Sequence, residues 1–168
     1  TAAGAVAALS AGAYCGSGAG AGARWCPPGD PVALRRSGGG RPRQVSAGDV
    51  DNTPGSSEGD RLVSYGTDGR FTLGEAGARR LQAAFPAPTG RIVVGDESEP
   101  YVREGRNAFA KFVTAAGPEI RPGDEVLVVD PTDALFAVGR AELSYAEALA
   151  FDSGVAVKVR HGVADEGA

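Results

Sequence analysis

The sequence has few of the residues that build metal centres. Its 168 residues include two cysteines, Cys15 and Cys26, and one histidine, His161. A structural zinc site needs four ligands of this kind, so we expect no metal site. The two cysteines could form a disulfide. We favour the other interpretation, a reduced pair in a cytoplasmic protein.

Lysine is also scarce, since Lys111 and Lys158 are the only two and the other fifteen basic residues are arginine. Residues 91–168 carry eight basic against fourteen acidic side chains. The long-range field of such a segment repels phosphate, so any RNA site in it must be local and built from arginine. Abundant acid with little lysine fits a cytoplasm of high salt concentration, and a GC-rich genome explains the arginine equally well.

Residues 1–23 contain no charged side chain, which raises the question of a membrane span or signal peptide. Six of these residues are glycine and no basic segment precedes them, so we expect neither. We predict a small-residue helix at 2–13. The glycine-rich run 16–22 follows no predicted strand and lacks a Gly-Lys-Ser ending, so no nucleotide or other cofactor is expected.

Hydrophobic runs in the second half are short and separated by turn signals. Because 42% of the chain is hydrophobic, we expect a folded core. Short helices are predicted at 97–104 and at 144–151, the second capped by Ser144. Five strand-like runs predict a small β-barrel: 91–95, 108–113, 120–130, 136–140 and 154–160. In the last run Val155, Val157 and Val159 alternate with Lys158 and Arg160, which should point outward.

The first half reads as two hairpins and a helix. Strand 31–36 should pair with 41–45 around a glycine turn, and strand 61–65 with 70–73 around 66–69. A helix at 75–85 should bury Ala78, Leu81 and Phe85. The run Pro86-Ala-Pro-Thr-Gly90 then breaks the pattern. We therefore predict an α+β, mainly β chain with one domain at 1–89 and a second at 90–168.

No catalytic constellation is recognisable. The carboxylates at 96, 97 and 99 are explained by their place at a helix start, where acids favour the helix dipole. Asp68 and Asp124 occupy positions typical of turn formers. His161 stands in no recognisable catalytic motif. We therefore predict no catalytic residue and no enzyme activity for the chain alone.

Three motifs stand out in 90–168: Gly105-Arg106, Pro122-Gly-Asp-Glu-Val126 and Ala137-Val-Gly-Arg-Ala141. With them this segment resembles the PUA domain, an RNA-binding pseudo-barrel attached to RNA-modifying enzymes. The preceding part contains Gly40-Arg-Pro-Arg43 and Asp68-Gly-Arg-Phe-Thr-Leu73. In these runs it is similar to the module before the PUA domain in archaeal tRNA-guanine transglycosylases and related archaeosine-pathway proteins.

The resemblance implies a PUA-like pseudo-barrel preceded by a small α+β module. It also implies a function, binding of RNA and specifically tRNA near its acceptor end, while a modifying active site elsewhere reaches the base. We do not find the catalytic barrel of the transglycosylases in this chain. The partner would then be tRNA, with or without a separate tRNA-modifying enzyme chain. A protein-binding scaffold or assembly subunit is the alternative, and a small-molecule transferase a third.

The candidate RNA-binding residues are basic side chains and one glycine. Gly105 would let a backbone approach closely, and Arg106 would offer paired donors to a phosphate. Tyr101 and Phe109 could add stacking surface. Alternatively, Phe109 belongs to the core and the charges form ordinary salt bridges. The full set is Arg41, Arg43, Arg103, Gly105, Arg106, Lys111, Lys158 and Arg160.

Overall fold

A computed structural model describes residues 32–47 and 61–164, which fall into two compact units. The first contains residues 32–47 and 61–84, and the second contains residues 85–164. The helix expected at 2–13, the glycine-rich run 16–22 and both cysteines lie outside the described residues.

The first unit is a four-stranded antiparallel meander followed by a helix. Its strands pair in chain order, and both predicted hairpins are confirmed. Gly40 and Gly69 end the two turns with φ of 78° and 79°, a conformation that favours glycine. The elements are β1 (Val32–Arg36), β2 (Pro42–Ala47), β3 (Arg61–Tyr65), β4 (Phe71–Leu73) and helix α1 (Glu75–Ala84).

Helix α1 lies very close to strand β3. A Cβ added to Gly77 would overlap the carbonyl oxygen of Leu62, so the missing side chain permits this approach. Ala78 is fully buried as predicted, whereas Leu81 and Phe85 are half-buried and the helix ends at Ala84. The first turn of the helix, rather than its last, therefore carries the tightest packing.

The second unit is a six-stranded mixed sheet with strand order β6-β10-β9-β8-β5-β7. Only β5 and β8 pair in parallel. The two edge strands, β6 and β7, follow each other in the chain, so the sheet curls into the predicted pseudo-barrel. Its elements are β5 (Arg91–Val94), α2 (Glu99–Arg103), β6 (Ala108–Phe109), β7 (Val113–Ala116), β8 (Glu125–Val129), β9 (Leu135–Ala141), α3 (Tyr145–Ala150) and β10 (Val155–Gly162).

Small and β-branched residues fill the barrel. Alternate positions of β5 and β8 point inward, and Phe136 is the one large aromatic of the core, 1% exposed. Helix α3 is capped by Ser144 as predicted: the Ser144 hydroxyl accepts the Glu147 backbone N–H, while the Glu147 carboxylate accepts the Ser144 N–H. This reciprocal cap satisfies two helix-end donors and lowers the pKa of Glu147, mainly through the hydrogen bond from the Ser144 backbone.

The single strand predicted at 108–113 is wrong. Strand β6 stops at Phe109, a 3-10 turn runs over Ala110–Phe112, and β7 begins at Val113. Ala110 is buried at the turn and its N–H donates to the Gly154 carbonyl at 3.0 Å, which bends the chain into the core. Phe109 is left 43% exposed instead of joining the core, and Lys111 and Val113 do not share a strand face.

Arg91, at the start of β5, is 1% exposed. Its guanidinium bridges both carboxylate oxygens of Asp133, at 2.6 and 3.1 Å, and donates to the carbonyls of Phe85 and Thr89. The pair is bidentate and the remaining donors are satisfied, which is the arrangement a buried arginine requires. Arg91 thus ties the segment entering the second unit to the β8–β9 turn.

No helix within the described ranges has the length and apolar character to cross a bilayer.

Candidate nucleic-acid interface

The loop that leaves α2 has the backbone conformation predicted for it. Gly105 has φ of 87°, and its N–H donates to the Val102 carbonyl at 3.0 Å, which closes the helix end. A Cβ at this position would meet no atom within 4 Å. The loop backbone is therefore open on that side, and a ligand oxygen could reach it without displacing a side chain.

Arg106 follows this glycine and projects from the surface. Its guanidinium lies 5.6 Å from the ring centroid of Tyr101, which is 52% exposed. The carboxylate of Glu104 is 3.5 Å away, and both members of this ion pair are about two-thirds exposed. Such exposed pairs contribute little, about 0–1 kcal/mol, so a phosphate could replace the carboxylate at small cost.

Two residues that the sequence reasoning missed hold the loop against β10. A Cβ on Gly162 would overlap the Arg103 carbonyl oxygen, so only glycine lets the strand pass this close. Asn107 accepts the Val159 N–H through its side-chain oxygen at 3.2 Å. The available signal was the glycine itself, because glycine within a strand often marks a close backbone approach.

Arg103 lies beneath the loop and is 17% exposed at its side chain. It donates to Glu99 at 2.8 Å and to the Val163 carbonyl at 2.9 Å, and it packs 4.6 Å from the Phe136 ring centroid. These contacts fasten α2 to β9 and to the end of β10. Its predicted contact with RNA would require it to give up some of these bonds.

Lys158 and Arg160 point outward from β10, as the alternation predicted. Lys158 is aligned across the sheet with Arg140, and Arg140 with Glu125, so these side chains share one face. Arg160 makes a bidentate pair with Glu125 at 2.5 and 2.8 Å. The hydrogen bond with Glu125 raises the pKa of Arg160 and outweighs the opposing effect of burial.

The basic side chains on this face differ in their availability. Arg140, which the sequence reasoning did not single out, donates twice to Glu142, at 3.1 and 2.9 Å. Lys158 is exposed and has no ion-pair partner among residues 32–47 and 61–164. It is therefore the cation of this face that can meet a phosphate without breaking an existing pair.

The other three predicted basic residues are Lys111, in the second unit, and Arg41 and Arg43, in the first. Lys111 is exposed in the 3-10 turn, with its ammonium 4.5 Å from the Phe112 ring centroid. The turn packs beside Gly154, about 13 Å along β10 from Lys158 at the usual rise of a strand. Arg41 and Arg43 are exposed at the start of β2 in the first unit. The 105–107 loop packs against the end of β10, the strand that also carries Lys158 and Arg160.

The acids considered as catalysts occupy structural positions. Asp68 accepts the Arg70 N–H at 3.1 Å and Asp124 accepts the Arg121 N–H at 3.0 Å, so both form turns as predicted. In the part of the chain that the structure describes, no three histidine, cysteine or acidic side chains are placed to hold a metal ion.

Comparison with known families agrees with this geometry. The model of the PUA domain matches residues 90–163. Residues 90–163 belong to the PUA domain family. The segment before the PUA domain, residues 18–88, matches the patch-forming domain C2 of tRNA-guanine transglycosylase. The resemblance found in the sequence is thereby confirmed for both halves.

Curated relatives are named tRNA-guanine(15) transglycosylase. The protein of Pyrococcus furiosus is 46% identical over 128 residues, which are 76% of this chain and 20% of the relative. The protein of Pyrococcus abyssi is 45% identical over 136 residues, 80% of this chain and 21% of its own length. The chain therefore spans about a fifth of the length of these relatives.

Solved structures support the fold. A conserved PUA domain protein from Thermoplasma acidophilum superposes with a TM-score of 0.56 at 20% identity, covering 82% of this chain and 80% of the other. A PUA domain from Aeropyrum pernix gives a TM-score of 0.54 at 17% identity, covering 80% and 70%. At these identities the similarity concerns the fold alone.

Proposed function

We propose that the chain is an RNA-binding module for tRNA that acts in the cytoplasm, in or alongside tRNA modification. The observation that carries the proposal is the loop at Gly105 and Arg106. It combines an open backbone with an exposed arginine whose one ion-pair partner among the described residues is also exposed. Lys158 and Arg160 lie on the strand that this loop packs against and would add further cations to the interface.

The surrounding acids determine how RNA would be recognised. Fourteen acidic residues in 91–168 give this half a field that repels phosphate at long range. Binding then depends on short-range, charge-assisted hydrogen bonds from arginine, with Tyr101 beside Arg106 as a stacking surface. We therefore expect affinity to come from a few well-placed contacts.

The relatives suggest which RNA is bound. They are named tRNA-guanine(15) transglycosylase, and this chain matches about a fifth of their length. A module of this kind would hold tRNA while an active site elsewhere reaches the base. That active site could belong to a separate tRNA-modifying enzyme chain.

Replacing Arg106 by alanine tests the proposal directly. We expect Arg106→Ala to melt like the parent, because an exposed loop arginine contributes little stability. Affinity for a tRNA transcript should fall by roughly 1–3 kcal/mol, and the slope of log K against log salt should flatten by about one unit. Titrations at several salt concentrations measure both quantities.

Arg121→Ala is the matched control, since Arg121 is an exposed arginine of the same unit outside the proposed surface. It should leave affinity and slope nearly unchanged. Equal binding by Arg106→Ala and the parent, with identical slopes, would show that this loop does not contact the RNA.

A protein-binding scaffold is the second candidate function. It is favoured by apolar side chains at α3, where Tyr145, Leu149 and Phe151 are 38%, 42% and 47% exposed. Association through this surface would be nearly independent of salt, whereas phosphate contacts give a steep negative slope. The same titrations therefore discriminate the two functions.

A further inference from the structure

Both hairpin turns of the first unit lie at the same end of its sheet. Strand β2 begins after the first turn and β3 ends before the second, and the two strands are antiparallel neighbours. The two turns, residues 37–41 and 66–70, are therefore adjacent. We call this region the hairpin end; its six side chains are Arg36, Arg41, Arg43, Tyr65, Arg70 and Phe71.

Tyr65 and Phe71 form an exposed aromatic pair at the hairpin end. They are directly opposed across β3 and β4, with ring centroids 4.7 Å apart at 56°. The next pair on the same face, Val63 and Leu73, lies two residues further from the turn, and these side chains are 2% and 3% exposed. Tyr65 and Phe71 themselves are 36% and 37% exposed. The buried face of the hairpin thus ends in aromatic surface that water can reach.

Arginines surround this pair with little acid to neutralise them. Residues 32–47 and 61–74 contain six arginines and a single acid, Asp68. Because Gln44 is opposite Ser64 in antiparallel strands, the preceding Arg43 is opposite Tyr65. Neither Arg41 nor Arg43 has an ion-pair partner among the described residues.

The other two arginines of the hairpin end make only weak, exposed contacts. Arg36 donates to the Gly40 carbonyl within its own turn. Arg70 lies 4.0 Å from Asp68, and both of these side chains are more than 60% exposed. The hairpin end therefore carries four arginines, one exposed acid and one exposed aromatic pair.

We propose that the hairpin end binds an unpaired nucleotide of the RNA, with the base stacked on Tyr65 and Phe71 and its phosphates held by Arg41 and Arg43. This inference rests on the proposed RNA-binding function and adds a second contact in the other unit. Aromatic faces flanked by arginine are the combination that single strands require. An acidic peptide would use the arginines but would leave the rings uncovered.

The test uses the full chain and a fluorescein-labelled oligoadenylate of about eight nucleotides, a length within the range bound by single-strand sites. In the double variant Tyr65→Leu/Phe71→Leu, leucine keeps apolar bulk between the strands but removes both aromatic faces. We expect affinity to fall roughly 5- to 150-fold, as for losing a stacked base, with an unchanged salt slope. Arg43→Ala should flatten the slope by about 0.7 unit, the value for one phosphate contact of a single strand.

Tyr145→Leu is the control, because Tyr145 is an exposed tyrosine of the second unit. It should bind oligoadenylate as the parent does. Unchanged affinity in the double variant overturns the inference, as does binding of labelled oligoaspartate by a parent chain that does not bind oligoadenylate. If Arg106→Ala weakens tRNA binding while the double variant does not, only the second contact is excluded. If the parent binds neither RNA, the proposed function itself fails.

A measurement on the parent chain covers the case in which the double variant does not fold. Oligoadenylate carrying a single 4-thiouridine is crosslinked by ultraviolet light, and the modified peptide is identified by mass spectrometry. Attachment at Tyr65 or Phe71 supports the inference. Attachment confined to the second unit overturns it.

Discussion

At the scale of single residues, glycine decides where other groups can approach. Gly105 is needed for its backbone conformation, with φ of 87° and open space beyond it. Gly162 and Gly77 are needed for the opposite reason, since a Cβ on either would overlap a backbone carbonyl. The first kind of glycine shapes a loop, and the second allows two elements to touch.

Gly105→Val should destabilise the second unit through backbone strain alone. Positive φ is unfavourable for a β-branched residue, and nothing lies close enough to clash, so we expect a loss on the order of 1 kcal/mol or more. Thermal or denaturant unfolding measures the change. Gly39→Val is a control, because Gly39 is an exposed turn residue that is not among the positive-φ glycines. Identical unfolding of Gly105→Val and the parent would contradict the role assigned to this conformation.

At the scale of elements, short helices are fixed by contacts at their ends and along one side. Helix α2 has five residues and α3 has six, lengths that are marginal in isolation. Arg103 ties α2 to β9 and β10, and the Ser144–Glu147 cap starts α3. The ten-residue α1 instead depends on its close packing against β3.

Gly77→Ala should therefore destabilise the first unit, although alanine is normally the better helix former by about 1 kcal/mol. The added methyl would overlap the Leu62 carbonyl, and overpacking of this kind costs about 1–3 kcal/mol. We expect a net loss of up to roughly 2 kcal/mol in denaturant unfolding. Ala83→Gly, at an exposed position of the same helix, is the control. It should lower the free energy of unfolding, because glycine is the poorer helix former. A stabilised Gly77→Ala chain would show that the helix can move away from β3.

At the scale of the whole molecule, we expect the purified chain to bind tRNA without exchanging its guanine. It spans about a fifth of the transglycosylase relatives, and Asp68 and Asp124 serve as turn acceptors. Release of labelled guanine from tRNA, measured with the chain alone, should stay at the level of a sample without protein. Exchange that disappears when one of these acids is replaced would refute the expectation and make the chain an enzyme.

Much of the fold could be predicted because its signals are local. Alternation in β10, the turn glycines of both hairpins and the Ser144 cap each involve residues a few positions apart. The prediction for residues 108–113 was wrong, because the alternation of Phe109, Lys111 and Val113 is also typical of a single strand. The hydrogen bond from Ala110 to Gly154, which bends this segment, joins residues 44 positions apart.

In the candidate site, too, some features are set by neighbouring residues and others by contacts between residues far apart in the chain. The sequence by itself determined the mainly β architecture, the outward direction of Lys158 and Arg160, and the positive φ of Gly105, since backbone sterics and alternation act within a few residues. Only the tertiary structure decided how much each basic side chain can offer an RNA. Arg160 is paired with Glu125 and Arg103 is held by Val163, contacts across 35 and 60 residues, whereas Lys158 has no such partner among the described residues. Those pairings follow from strand order and register, which bring together residues that no local pattern connects.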